Sequence, residues 1–379
     1  MKVTDVHALV NSATTELLGD SGIVSEDLRN IVDIGEAVIN LDHGYDHYVK
    51  SLINHIGKVR FVDRPYDGVV PDLMMDAWEY GSILQKIHSE MPDSVADPTY
   101  TVTNGTSYDQ DVFHQPTATS KFFNMRDNFM IEHSVAYRQV KESFSNAGQL
   151  NAFLSMLVNQ VNRSRSVKND ILKQRVLNAG ILETVKDNDA NRVINLLSLY
   201  NTATGLSLTA AEALRTSDFL RFSAMTMAKV SDLMMGISTL YNIGGTQKFT
   251  PKSEQHTIYL SDFKRSMDFY LYAGLNQFRT EGIGIAGGSV IPMWQGSGTT
   301  PTFANLSLVK GIAPSGSTEQ TVNGVVAVIF DREACGVSNP SFEVLTHENA
   351  KARFINYFYH QDAGYFFDPN ENFVVFIVA

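Results

Sequence analysis

Apolar residues recur along this chain at helical spacing in some stretches and by alternation in others, and the changes divide it into segments. Residues 4–18 read as a short amphipathic helix, which Gly19-Asp20-Ser21-Gly22 breaks. Ser25 stands where it can cap a second helix carrying Leu28, Ile31 and Val32. A third helical piece, 45–56, gathers Tyr48, Leu52, Ile53 and Ile56 on one face and stops at Gly57. From Lys58 to about Met130 this regularity is lost. Pro65, Pro71, Pro92, Pro98 and Pro116 interrupt helix and central strand alike. Asn104-Gly105, between Thr101-Val102-Thr103 and Thr106-Ser107-Tyr108, predicts a hairpin. The same segment holds Trp78, Tyr80, Ile83, Leu84, Ile87, Phe113, Phe122 and Phe123. An extended arm with that much apolar surface needs a partner to cover it.

The longest helical stripe follows. Asn146 can cap it, and Leu150, Phe153, Leu154, Leu157, Val158 and Val161 open it. Ile171, Leu172, Val176 and Leu177 resume it, and Gly180 predicts its stop. At 1.5 Å per residue, 147–179 spans about 50 Å. Its middle, Asn162-Arg163-Ser164-Arg165-Ser166, is polar all round, which predicts a kink or an exposed centre. Thr209-x-x-Glu212 is a capping box. Ser217-Asp218 opens a helix with Phe219, Leu220, Met225, Val230, Leu233, Met234 and Ile237 inward, ending near Gly244-Gly245. A strand at 256–260 and a helix from Ser261-Asp262 through Leu271 come next, then loops and short strands over 282–324. The strand 325–330 leads into a charged turn, Asp331-Arg332-Glu333. Nine aromatics fall between Phe354 and Phe376, and Phe373–Val378 is wholly apolar. Chain ends fray unless tied down. This one is expected to complete a sheet inside its own subunit.

Composition narrows the function. Hydrophobic residues make up 44% and charged ones 19% of 379 residues, enough for a large core in two or three subdomains. The net charge of −11 argues against tight, general binding of nucleic acid. No apolar run approaches the roughly 18 residues of a membrane span, and the first residues lack a secretory pattern. The single cysteine, Cys335, excludes an intrachain disulfide and reads as a buried small hydrophobe made in a reducing cytoplasm. Candidate chemistry is sparse. Gly282-Ile283-Gly284-Ile285-Ala286-Gly287 matches a dinucleotide fingerprint but has a helix before it rather than a strand. Asp42, His43, Asp46 and His47 could ligate a metal on one helical turn, although Asp42 suits a cap better. His88-Ser89-Glu90 reads as a solvated turn. No catalytic residues and no cofactor are assigned.

Three stretches carry a family resemblance. They are I-V-D-I-G-E-A-V-I-N…Y-V-K-S-L-I-N-H-I-G-K-V-R-F over 31–61, Y-R-Q-V-K-E-S-F-S-N-A-G-Q-L-N-A-F-L-S-M-L-V-N-Q-V-N-R-S over 137–164, and G-V-V-A-V-I-F-D-R-E-A over 324–334 with R-F-I-N-Y-F-Y-H over 353–360. In their order they resemble the major capsid proteins of tailed bacteriophages, nearest to short-tailed podoviruses with elongated heads. That fold is shared with encapsulin shells. The resemblance implies an α+β, Hong Kong-type capsid fold with an N-terminal arm (1–57) and an extended loop (58–135). It further implies a peripheral domain with a long spine helix (136–199), an axial domain (200–323), and C-terminal strands (324–379) returning to the peripheral domain and axial junction.

It implies a virion capsid protein, assembled in the host bacterial cytoplasm, that forms pentamers and hexamers around double-stranded DNA. Implied partners are further copies of the chain, a separate scaffolding protein, a portal protein, and the DNA by weak contact, with no membrane. Trp78, Tyr80, Ile83, Tyr100, Asn104, Gly105 and Phe113 of the extended loop are then expected at contacts between subunits. The alternatives are an encapsulin-like compartment shell and, from a different class, a metal-dependent hydrolase using Asp42, His43, Asp46 and His47.

Overall fold

The computed structural model describes residues 83–92, 94–136, 147–274, 288–295 and 300–379, with isolated positions before residue 83. In chain order these form β1 (Leu84–Ser89), β2 (Ala118–Phe123), β3 (Arg126–Ala136) and α1 (Ala147–Asp187). Then come β4 (Val193–Asn195), α2 (Leu196–Thr204), α3 (Ala210–Ala213), α4 (Ser217–Leu233), β5 (Gln255–Leu260) and α5 (Ser261–Gly274). After them lie β6 (Ser289–Ile291), α6 (Phe303–Leu306), β7 (Val309–Ile312), β8 (Glu319–Val322), β9 (Val325–Asp331), β10 (Cys335–Asn349), β11 (Phe354–Phe367) and β12 (Phe373–Ile377). Two compact units divide the chain. One is Met1–Arg64 with Asn146–Leu157, and the other is Pro65–Ser145 with Val158–Ala379. The predicted helices at 25–32 and 45–56, the cap at Asn146 and the motif at 282–287 lie outside the described residues, as does most of 4–18.

The core of the second unit is built on β9. Its six apolar residues, Val325–Phe330, are all buried, as an unbroken apolar run requires of a strand covered on both faces, and Asp331 is buried after them. It is the middle strand of a five-stranded sheet in the order β4-β12-β9-β5-β6. β12 lies antiparallel to β9, with Val375 opposite Val328, and parallel to β4, with Val375 opposite Val193. The apolar end is therefore an interior strand of its own subunit's sheet, as its composition predicts. Trp294 is fully buried, and its indole Nε1 donates to Val325 O at 2.7 Å.

α1 runs through Gly180 to Asp187, beyond the stop predicted there. Glycine weakens a helix by only about 1 kcal/mol, and packing overrides that. The close approach of Phe367 and Phe373 needs the bare α-carbon: a Cβ at Gly180 would meet ring atoms at 2.9–3.0 Å. The polar centre of α1 produces no break in the helix. Arg165 Nε donates to Gln361 Oε1 at 2.7 Å, and its guanidinium lies 4.4 Å from the centroid of the Phe342 ring. Those partners belong to a second, three-stranded antiparallel sheet, β10-β11-β3. β11 leads from this half-exposed sheet into the core, where Phe366 and Phe367 are buried.

The capping box forms on α3, with Thr209 N and Oγ1 donating to Glu212 Oε2 at 2.9 and 2.8 Å. α4 ends at Leu233, well before Gly244, because a turn follows that leads to the bridge Ser238–Lys248. Phe219, Leu220, Met227 and Val230 face the core. Met225, Leu233 and Ile237 are exposed, contrary to the inward placement expected of them. At 100° per residue, Met225 sits about 140° round the helix from Leu220, off the buried stripe.

Candidate functional site

The feature that the fold presents outward is the hairpin β1–β2 with its connecting loop. The strands pair from Leu84–Phe123 to Ser89–Ala118, and Glu90 N donates to Thr117 O at 2.9 Å. The described residues from 91 to 117 then leave the sheet. Asn104-Gly105 does form a turn, with Gly105 at φ +88° and Thr106 N donating to Thr103 O at 3.2 Å. The strands expected on either side are not formed. A tight turn reverses the chain, but an isolated two-stranded ribbon is marginal in water, and residues 101–108 bury none of their side chains against the described residues. Asp97 instead caps a 3-10 turn, Pro98–Thr101. Hydrogen bonds from the Thr99 hydroxyl and then its backbone N–H hold the Asp97 carboxyl below its ordinary value.

The loop is acidic. Residues 90–117 contain Glu90, Asp93, Asp97, Asp109 and Asp111 and no lysine or arginine. It also carries large side chains into solvent: Tyr100 is 92% and Phe113 82% exposed. Asn104 and Gly105 are exposed at the turn, and Ile83 is half exposed at the foot of the hairpin. Trp78 and Tyr80 lie outside the described residues, as do Asp42, His43, Asp46 and His47.

Alternation along β1 turns Leu84, Lys86 and His88 inward. Lys86 Nζ lies 4.6 Å over the Phe366 ring and 3.0 Å from Glu333 Oε2. Phe123 of β2 is buried against the same ring, with centroids 5.4 Å apart. His88 is thus a strand residue against the body, not the solvated turn expected of it. Its Nδ1 lies 2.8 Å from Lys248 Nζ and 3.8 Å from Glu371 Oε1, and its Nε2 lies 3.5 Å from Asp368 Oδ2. Lys121 of β2 reaches Asp368 Oδ1 at 3.7 Å. Burial pushes the Lys121 ammonium down in pKa, and Asp368 opposes this. Sequence reading missed this cluster because its members come from residues 88, 121, 248, 368 and 371. The alternation of β1 was the one local signal that His88 faces inward.

Two further described residues, Cys335 and Asp331, have structural surroundings. Burial pushes the Cys335 thiol from its ordinary 9.0 up to about 12, against a smaller opposing pull from Lys86. Asp331 of the charged turn accepts from Thr250 Oγ1 at 2.7 Å and from Glu333 N at 2.9 Å, a structural role. An open groove of about 540 Å³ lies beside α1, with Ile171 and Ile312 exposed along it and Tyr365 and Phe367 in its lining.

The described residues thus combine four sheets, a long helix, an exposed acidic loop and exposed apolar side chains. A capsid chain of Staphylococcus phage Andhra shares the fold at 10% identity, with a TM-score of 0.57 over 85% of this chain and 87% of that one. So does a chain from the structure of the head fiber and inner core protein gp22 of native bacteriophage P68. It is 8% identical, with a TM-score of 0.51 over 85% and 88%. Among curated protein sequences there is no match. The class is the mixed α+β, Hong Kong-type capsid fold of tailed phages. The model of the Phi29-like phage major capsid protein family matches residues 7–377, and the chain belongs to that family. It is a major capsid protein of a tailed-phage head, structural and non-catalytic, located in the virion capsid. Homo-oligomeric assembly into a head follows from that membership. The compartment shell and the hydrolase give way to it.

Proposed function

We propose that the acidic loop between β1 and β2 is the arm by which one subunit covers the next as pentamers and hexamers close into the head. One observation carries this reading: Tyr100 and Phe113 stand almost fully in solvent on a segment with no strand partner among the described residues. Large exposed aromatics gain most from burial against a partner. Closed rings of copies need a contact that is not self-complementary, in which one patch meets a different one. A projecting arm meeting the body of the next copy is such a contact. The division of the chain into arm (1–57), extended loop (58–135), peripheral domain (136–199), axial domain (200–323) and returning strands (324–379) belongs to this proposal. In it, the exposed Met225, Leu233 and Ile237 pack around the symmetry axes. A separate scaffolding protein and a portal are proposed as partners, and the packaged DNA is touched weakly, consistent with the net charge of −11. Deleting residues 95–112 tests the loop. Soluble subunits that form no shells are expected, and normal shells would overturn the assignment.

A further inference from the structure

We propose that His88 and Asp368 ligate a divalent transition-metal cation of the zinc type, with Glu371 orienting His88. The site ties the root of the hairpin β1–β2 to the turn between β11 and β12. His88 Nε2 and Asp368 Oδ2 face each other at 3.5 Å. Both atoms are buried, and neither has a hydrogen-bond partner among the described residues. The Asp368 side chain is 0% exposed. The nearest donor to this buried carboxylate oxygen, His88 Nε2, stands too far off to make a good hydrogen bond; such a poorly met oxygen is costly, and an ion is one of the partners that meets the need. The orientation of that carboxylate is set by its own turn, since Oδ1 accepts from Asn370 N at 3.1 Å.

The spacing fits the ligand. Zinc binds imidazole nitrogen and carboxylate oxygen at about 2.0–2.2 Å, so two ligands of a tetrahedral shell lie about 3.4 Å apart. The nitrogen and oxygen here are 3.5 Å apart. One donor atom from each of His88, Asp368 and Glu371 lies within 4.8 Å of the others.

Lys248 is a built-in competitor. Its Nζ stands 2.8 Å from both His88 Nδ1 and Glu371 Oε1. An ammonium only donates, so in this arrangement Nδ1 accepts and Nε2 carries the proton. Metal at Nε2 reverses that order: Nδ1 becomes the N–H and Lys248 must leave it. The N–H then turns to Glu371 Oε1, 3.8 Å away, giving the carboxylate–histidine–metal arrangement that fixes ring orientation. Lys121, 3.7 Å from Asp368 Oδ1, is the second positive charge facing the site, and with Lys248 it limits the affinity.

The test is calorimetric titration of the purified, chelator-treated full-length chain with Zn²⁺, using Mg²⁺ as the hard-cation control. One Zn²⁺ per chain is expected, with no heat from Mg²⁺. His88→Gln and Asp368→Asn should each abolish the uptake, and Glu371→Gln should weaken it about 10–100-fold. Lys248→Met should bind about tenfold more tightly, because one adjacent positive charge is gone. This last variant keeps both ligands and reports on the site even if the others fold poorly. Amide exchange across Leu84–Ser89 should slow when Zn²⁺ is added to the unaltered chain. A chain that takes up no Zn²⁺, uptake that survives both ligand substitutions, or unchanged exchange in β1 would overturn the proposal.

Discussion

Gly180 of α1 lies beneath the ring of Phe373 of β12 so closely that a Cβ there would stand 3.0 Å from ring atoms Cε2 and Cζ. Phe367 closes the other side, with its Cε2 at 2.9 Å from the same point. Glycine inside a helix ordinarily invites replacement by alanine, worth about 0.5–1 kcal/mol. Here a methyl group would press on the edges of two packed rings, and overpacking of that kind costs about 1–3 kcal/mol. Gly180→Ala is therefore expected to destabilise the isolated subunit by roughly 1–2 kcal/mol. Urea unfolding of disassembled protein measures it, and a rise in stability would show that the rings yield.

Removal of the last seven residues takes out an interior strand, bonded to β9 on one side and β4 on the other. Phe373, Val374, Val375 and Phe376 are all buried. The truncated chain is expected not to fold, so that the defect lies in the subunit and not in assembly. Circular dichroism and solubility decide it, and a soluble, folded truncation would refute the role given to β12.

Cys335 should be silent toward thiol reagents while the chain is folded. Its thiol is fully buried and pushed up to about 12, so the reactive thiolate is scarce at pH 8. Iodoacetamide at that pH should label urea-unfolded chain and leave native chain unmodified, as intact mass will show. The sign of the linked stability follows: between pH 9.0 and about 12 the folded chain keeps a proton that the unfolded chain gives up. Stability therefore falls as pH rises through that window.

Phe113→Asp separates assembly from folding. The side chain is 82% exposed, and exposed substitutions usually change stability by less than about 0.5 kcal/mol. The subunit should unfold at an unchanged urea midpoint, while shell yield by negative-stain microscopy falls sharply. Full shell yield would remove Phe113 from the contact.

The parts of this fold legible in the sequence are those in which the local signal and the tertiary environment agree. Val325–Phe330 reads as a strand and is a buried one, which Asp331 extends by one residue. Thr209 and Glu212 form the capping box that their spacing announces. Most of the failures share one cause, which is that the deciding partner is far away in the chain. Gly180 is a plausible helix stop until Phe367 and Phe373 supply contacts nearly two hundred residues later. Asn104-Gly105 turns the chain as its dipeptide demands, yet β1 finds its partner in β2, beyond the loop. His88 looks solvated beside Ser89 and Glu90, and becomes half-buried only when Lys248, Asp368 and Glu371 arrive. Met225 shows the converse. Its apolar character suggested the interior, whereas the angle of α4 turns it outward.

The position of β12 also sets a clock. During synthesis β4, β5, β6 and β9 all emerge first, and the place between β4 and β9 stays open until Phe373–Ile377 has been made. Partners about 180 residues apart close slowly, because the long intervening chain must be ordered before the contact is gained. The seat of the hairpin β1–β2 is equally late, since Phe366, Asp368 and Glu371 are made just before β12. Both the five-stranded sheet and the footing of the hairpin are therefore complete only once translation has passed Phe373–Ile377.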